Sequence, residues 1–231
     1  MVRNCINSWY RVLPDYKIML WDTKRFDVNS TIWTRQAFEA KKYAFVADYI
    51  RFYAVYNYGG IYLDSDVEVI RSFNDLLKLP YFVGRDADLK NLGLEIAAFG
   101  AEKGTAWVKE CLDYYQNRPF IAADGSMEIK ALPRFIVDIL ESHFNIKCID
   151  NISQFSRDPD IICVFPQDWF CAHQIIHRKN NRLRYYVTEK SYCVHQFANS
   201  WVVKGRTGFL HKLYFIIRYG SWKERNKAIT Y

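Results

Sequence analysis

In "GIYLDSDVEV", residues 60–69, two aspartates one residue apart stand in an otherwise apolar stretch. A buried carboxylate is costly unless a metal ion, an Arg or Lys, or open solvent compensates it. Strand alternation sets Tyr62, Asp64, Asp66 and Glu68 on one face and Ile61, Leu63, Ser65, Val67 and Val69 on the other. Two residues along a strand span roughly 6.6 to 7 Å, so Asp64 and Asp66 can share one cation. Alternatively, one holds the cation while the other meets a substrate hydroxyl. Hard divalent ions prefer oxygen, and Mg²⁺ or Mn²⁺ is commonly held by one or two carboxylates plus substrate phosphates. The plain alternative is a solvated pair at a strand end. The Gly59-Gly60 break just ahead and the strongly apolar flanks weigh against it.

A second polar pair lies upstream. Ala44, Asp48, Arg51 and Val55 fall at helical spacing on one face. An Asp–Arg pair on a helix surface contributes only about 0.2–0.5 kcal/mol. Beside the Asp64–Asp66 stretch, the pair is better placed to meet sugar or ribose hydroxyls. A carboxylate accepts from hydroxyls and a guanidinium donates in a fixed fork.

Local patterns predict the elements that must position these groups. "NCINSWYRVLP" reads as a short helix stopped by Pro14, and "YKIMLWD" as a strand. "TRQAFEAKKYAFVADYIRFYAVYNY" reads as one long helix closed by Gly59-Gly60. "GIYLDSDVEVI" is then a strand, "NDLLKLP" a short helix or turn, and "YFVGRD" and "LEIAAFGAEKG" strands. "TAWVKECLDYYQN" and "SMEIKALPRFIVDILESHF" read as helices, the second with a break near Pro133. "IKCIDN", "DIICVFP" and "SYCVHQF" read as short strands, and the stretch from Thr207 as helical. Helices alternating with strands predict an α/β fold with a mixed, mostly parallel sheet flanked by helices. The simplest division is one domain over 1–203 and a basic, aromatic tail over 204–231.

Composition narrows the partners. Of the net charge of +7, the tail carries +6, from seven basic residues against Glu224. A near-neutral body argues against nucleic acid as a partner. The tail mixes Phe, Leu, Ile, Tyr and Trp with Lys and Arg, which suits a helix lying on an anionic membrane surface. A terminal helix docked on the core reads equally well. Six cysteines show no CxxC pair, and no secretory signal opens the chain, so reduced thiols in a cytoplasmic setting are expected. Aromatic residues make up 17% of the chain, which serves a filled core or a stacking surface for sugars. Cys171, His173 and His177 offer a weak zinc pattern, the two histidines being four apart. Glu95 and Asp168 read as surface or capping carboxylates.

"FVADYIRFYAVYNYGGIYLDSDVEV" resembles the core signature of the DXD-containing sugar transferases. These include fungal initiating mannosyltransferases, bacterial capsule and lipopolysaccharide glycosyltransferases and, through the same pattern, the large clostridial glucosylating toxins. "YFVG…AAFGAEKG" and "HQFANSW" are similar to later family segments, so the resemblance covers most of 1–203. It implies a GT-A, Rossmann-like fold and Mn²⁺ or Mg²⁺ as cofactor. It also implies a retaining hexosyltransferase that moves a sugar from a UDP- or GDP-sugar donor to a glycan or lipid-linked acceptor in surface polysaccharide synthesis. By motif position, Asp48, Arg51 and Tyr62 would serve the donor, Asp64 and Asp66 the metal and diphosphate, and Asn199, Ser200 and Trp201 a loop over the diphosphate. His195 or Gln196 would complete the metal shell. The family's usual opening strand, of the type I-P-K-x-I-H-x-x-W, has no counterpart ahead of Met1. The second expectation is therefore a non-catalytic nucleotide-sugar-binding module of the same fold.

Overall fold

The computed structural model describes residues 1–86, 93–130, 132–177, 182–197 and 213–218. The chain opens with helix α1 (Val2–Val12), strand β1 (Tyr16–Trp21) and helices α2 (Ile32–Glu39) and α3 (Tyr43–Tyr58). Strands β2 (Gly60–Leu63), β3 (Val67–Val69), β4 (Tyr81–Arg85) and β5 (Leu94–Ala101) follow. Helices α4 (Ala106–Asp113) and α5 (Leu132–Glu141) lead into β6 (Asn145–Cys148) and β7 (Ile161–Val164). After the short helix α6 (Gln167–Phe170) come β8 (His173–His177), β9 (Arg182–Tyr186), β10 (Cys193–His195) and β11 (Leu213–Arg218).

The architecture is mixed α/β, but the expected mostly parallel sheet is not what forms. The five-stranded sheet has the order β1-β11-β2-β5-β4, and every neighbouring pair in it is antiparallel. Strands β1, β2 and β4 do run in one direction, as helical crossovers require. The oppositely directed β11 and β5 lie between them. Among the described residues parallel pairing appears only at the β4 end, where a Gly84–Phe165 bridge joins β7, and β7 pairs in parallel with β6.

The tail is also corrected. Leu213–Arg218 is a strand, with Phe215 opposite Met19 on one side and Tyr62 on the other. A helix there would leave the facing backbone groups of β1 and β2 unpaired. "LYFIIR" has the aromatic and β-branched character a central strand needs. These six residues therefore belong to the sheet and not to an appended tail. The rest of 204–231 lies outside the described residues. Among the described residues no helix is long and apolar enough to cross a membrane.

The single long helix predicted over 34–58 is two. Lys41 has φ 57°, its N–H donates to Phe38 O at 2.9 Å, and the Lys42 N–H donates to Ala37 O at 2.8 Å. This reciprocal pair closes α2 in a left-handed turn that normally favours glycine. The break frees α3 to run along the sheet and set Asp48 and Arg51 beside β2.

Two apolar layers sandwich the sheet. Ile61, Leu63, Val67 and Val69 pack with Trp9 of α1, whereas Tyr62 packs with Phe52 of α3 and Phe99 of β5. The Trp9 indole donates to Val67 O at 2.7 Å, and Ser8 Oγ accepts from Val69 N at 2.8 Å, so α1 fixes β3. The joint between α3 and β2 is equally constrained. Gly59 has φ +66°, and a Cβ added there would sit 2.8 Å from the backbone N of Lys103. Gly59→Ala is expected to cost about 1–3 kcal/mol, read as a lower denaturation midpoint. A midpoint unchanged from wild type would remove the claim that this turn is sterically set.

Candidate functional site

Asp64 and Asp66 are not residues of one continuous strand. β2 ends at Leu63, β3 starts at Val67, and the Val67 N–H donates to Asp64 O at 3.0 Å. The Asp64-Ser65-Asp66 stretch is thus a tight turn, in keeping with the turn preference of Asp and Ser. The Asp64 N–H is held by Ala97 O at 2.8 Å, which ties the turn to β5.

Strand β10 arrives antiparallel to β3 and pairs His195 with Val67. The Gln196 N–H donates to Asp66 O at 3.0 Å. The imidazole thereby reaches the turn, with Nε2 3.6 Å from Asp66 Oδ1. Ligand atoms of Asp64, Asp66 and His195 all lie within 4.8 Å of one another. Of the two residues expected to complete the shell, His195 brings a ring nitrogen to that group, and the Gln196 amide donates to Glu68 Oε2 at 3.1 Å.

The α3 pair forms the other side. Arg51 Nη2 lies 2.9 Å from Asp48 Oδ1 and 3.6 Å from Asp64 Oδ1, while Nη1 donates to Ile96 O at 3.0 Å. Its guanidinium also lies over the Tyr62 ring, 4.9 Å from the centroid. Tyr62 itself is only 1% exposed, and its hydroxyl donates to Asp64 Oδ1. It supports Asp64 and Arg51 from beneath and opens no face of its own to solvent. Asn199, Ser200 and Trp201 lie outside the described residues.

The electrostatics fit a divalent cation. Burial raises Asp48 to about 6 although Arg51 pulls it down, and burial likewise raises Asp64 against the pull of Arg51. Burial alone would lower His195, but the charge of Glu95 and the contacts with Asp66 and Cys171 hold it well above the usual imidazole value. Among the described residues, the carboxylates of Asp48, Asp64, Asp66 and Glu95 meet the Arg51 guanidinium and the His195 imidazole. Two carboxylates and an imidazole converging fit a hard divalent ion such as Mn²⁺ or Mg²⁺. Loading an ion on His195 must displace its proton.

One reading from sequence is corrected here. Glu95 is no surface carboxylate: it is 3% exposed, and its Oε1 lies 3.4 Å from His195 Nδ1. A lone Glu in the otherwise apolar strand "LEIAAFGA" was the available signal, since a buried charge there requires a partner. His173 and His177 of the weak zinc pattern lie on strand β8, and their side chains are outside the described part of the structure. Cys171 lies with Glu95 and His195, and its burial pushes the thiol up to about 12. Asp168 lies in the first turn of α6, where its Oδ2 accepts from Thr188 Oγ1 at 2.9 Å and makes no helix cap. All six cysteines are free.

Residues 1–83 match the family described as glycosyltransferase sugar-binding region containing DXD motif. The chain is 36% identical over 113 residues to inositol phosphoceramide mannosyltransferase 3 of Schizosaccharomyces pombe, a match covering 47% of this chain and 30% of that protein. It is 35% identical over 80 residues to mannosyl phosphorylinositol ceramide synthase SUR1 of Saccharomyces cerevisiae, covering 33% and 21%. The match thus spans less than a third of the length of either relative. No solved structure matches the chain.

Proposed function

We propose, for a chain that belongs through residues 1–83 to the DXD-motif glycosyltransferases, the retaining transfer of a hexosyl group from a nucleoside-diphosphate sugar to a hydroxyl acceptor. The observation that carries this reading is the convergence of Asp64, Asp66 and His195 within 4.8 Å, directly beside the Asp48–Arg51 pair. A divalent ion bound there supplies charge neutralisation for a departing diphosphate. Arg51, anchored by Asp48 and Ile96 O, brings a preorganised donor to the same place. Asp48, ionised above about pH 6, accepts hydrogen bonds from sugar or ribose hydroxyls. We assign no side chain of this site as a nucleophile, so the acceptor hydroxyl attacks from the face the diphosphate leaves. A GT-A arrangement of the α/β core is part of the same proposal.

Mannose is the first sugar to test, because the two relatives are named for mannosyl transfer to inositol phosphoceramides. A lipid-linked or glycan acceptor, including surface polysaccharide, follows the same logic. The test is a screen of GDP-mannose, UDP-glucose and UDP-galactose for Mn²⁺-dependent release of nucleoside diphosphate. Release from at least one donor is expected. Binding without release with every donor supports the non-catalytic module, and neither binding nor release overturns the reading.

We also place the chain at an anionic membrane surface on the cytoplasmic side, through the basic residues that follow β11 in sequence. Replacing Lys223, Arg225 and Lys227 by Gln leaves β11 intact and is expected to abolish flotation with phosphatidylserine vesicles. Flotation equal to wild type would remove the membrane as a partner.

A further inference from the structure

Glu95 places a carboxyl group in a strand whose eight residues are all buried. A carboxylate so placed needs a partner, and the ion pair it makes among the described residues is with His195. The two ring nitrogens face opposite carboxylates, Nδ1 towards Glu95 at 3.4 Å and Nε2 towards Asp66 at 3.6 Å. Glu95 is itself fixed, since its Oε1 accepts from the Ala97 N–H at 3.0 Å. The carbonyl of the same Ala97 accepts from the Asp64 N–H. One residue of β5 therefore ties together the carboxylate behind the imidazole and the turn in front of it. The ring's flat face stacks on Phe197, with centroids 4.1 Å apart. Phe197 has φ 44°, a left-handed conformation that a bulky residue adopts only where its surroundings enforce it.

We propose that Glu95 is a positioning residue: its carboxylate holds His195 by Nδ1 and so presents Nε2 to Asp66. Phe197 limits the tilt of the ring, and Glu95 sets its rotation. Without Glu95 the ring keeps its stacking partner but loses the contact that decides which nitrogen faces the turn. An imidazole that binds metal through one nitrogen is commonly held by a carboxylate at the other, and loss of that support costs about 10–100-fold in metal affinity. The orientation of the ring stands on geometry alone, whereas its consequence for metal binding rests on the transferase reading above.

Two measurements on Glu95→Gln and Glu95→Ala test this. The first is long-range ¹H–¹⁵N NMR of the metal-free full chain, with the His195 signals assigned by His195→Gln. Wild type is expected to show one sharp set of ring signals. Glu95→Gln should shift those signals and Glu95→Ala should broaden them. The second is Mn²⁺ titration followed by electron paramagnetic resonance. Both variants should bind Mn²⁺ about 10–100-fold more weakly than wild type. Glu95→Gln, which conserves volume, should retain cooperative unfolding. Ring signals that match wild type in both variants overturn the proposal, as does Mn²⁺ affinity within about twofold of wild type. If wild type binds no Mn²⁺ while the ring signals respond as expected, positioning stands and the metal reading falls.

Discussion

Asp66→Asn is expected to lower Mn²⁺-dependent turnover by about three orders of magnitude, equivalent to about 4 kcal/mol of transition-state stabilisation. The substitution preserves shape but removes one of the two anionic side chains that would hold a divalent ion, and an amide oxygen ligates a hard cation less well. It also turns one ligand of the Asp64–Asp66–His195 group from an acceptor of charge into a neutral amide. The fold should tolerate the change. The backbone carbonyl of Asp66, not its side chain, takes the hydrogen bond from Gln196, and the turn is closed by Asp64 O. Thermal unfolding at or above the wild-type midpoint, with turnover lost, is therefore the expected pair of results. Turnover within about tenfold of wild type would remove Asp66 from the metal shell and, with it, the transferase assignment.

The parts of this site that were legible in the sequence are those encoded locally. Asp48 and Arg51 show at helical spacing, and Asp64 and Asp66 show as charges in an apolar stretch. Each needs only a window of a dozen residues to be noticed. The geometry between the two aspartates was misread because alternation in "GIYLDSDVEV" continues through Asp64-Ser65-Asp66, although the backbone turns there. The turn brings the carboxylates into a shared space by a different route from the one strand spacing suggests. The break at Lys41 was hidden for a related reason. Glycine usually marks a left-handed helix end, and here a lysine takes that position.

What could not be read is what depends on contacts between distant segments. His195 reaches Asp66 only because β10 pairs with β3, across roughly 130 residues of chain. Glu95 and Cys171 meet His195 from two further segments. Alternation of helices and strands does predict strands running in one direction, and β1, β2 and β4 obey it. It says nothing of which strands slip between them. β11 enters between β1 and β2, and β5 between β2 and β4, because each gap leaves two rows of backbone groups that need partners. A pattern read residue by residue cannot show a gap that exists only in the assembled sheet.

Arg51→Met is expected to destabilise the chain by about 3–5 kcal/mol, the usual consequence of stranding buried charge. Arg51 meets Asp48 and Asp64 at once and caps the carbonyl of Ile96, so its loss takes the guanidinium from both carboxylates and the donor from the carbonyl. The effect should depend on pH in a stated direction. Asp48 is raised from 3.8 to about 6 in the folded chain by burial, with Arg51 opposing the rise. A carboxyl with a raised folded pKa binds its proton more tightly when folded, so its contribution to stability declines as pH climbs through that window. Removing Arg51 pushes Asp48 and Asp64 higher still and widens the window upward. The penalty of Arg51→Met should accordingly be smaller at about pH 5 than at about pH 8, read by urea denaturation. Arg51→Lys keeps a charge but cannot span both carboxylates and the carbonyl, and should fall between the two. Adding Asp48→Asn to Arg51→Met should recover part of the loss at the higher pH, since one stranded charge is then gone. A penalty equal at both pH values, with no recovery in the double variant, would mean that Arg51 acts by packing and does not hold these carboxylates in their charged form.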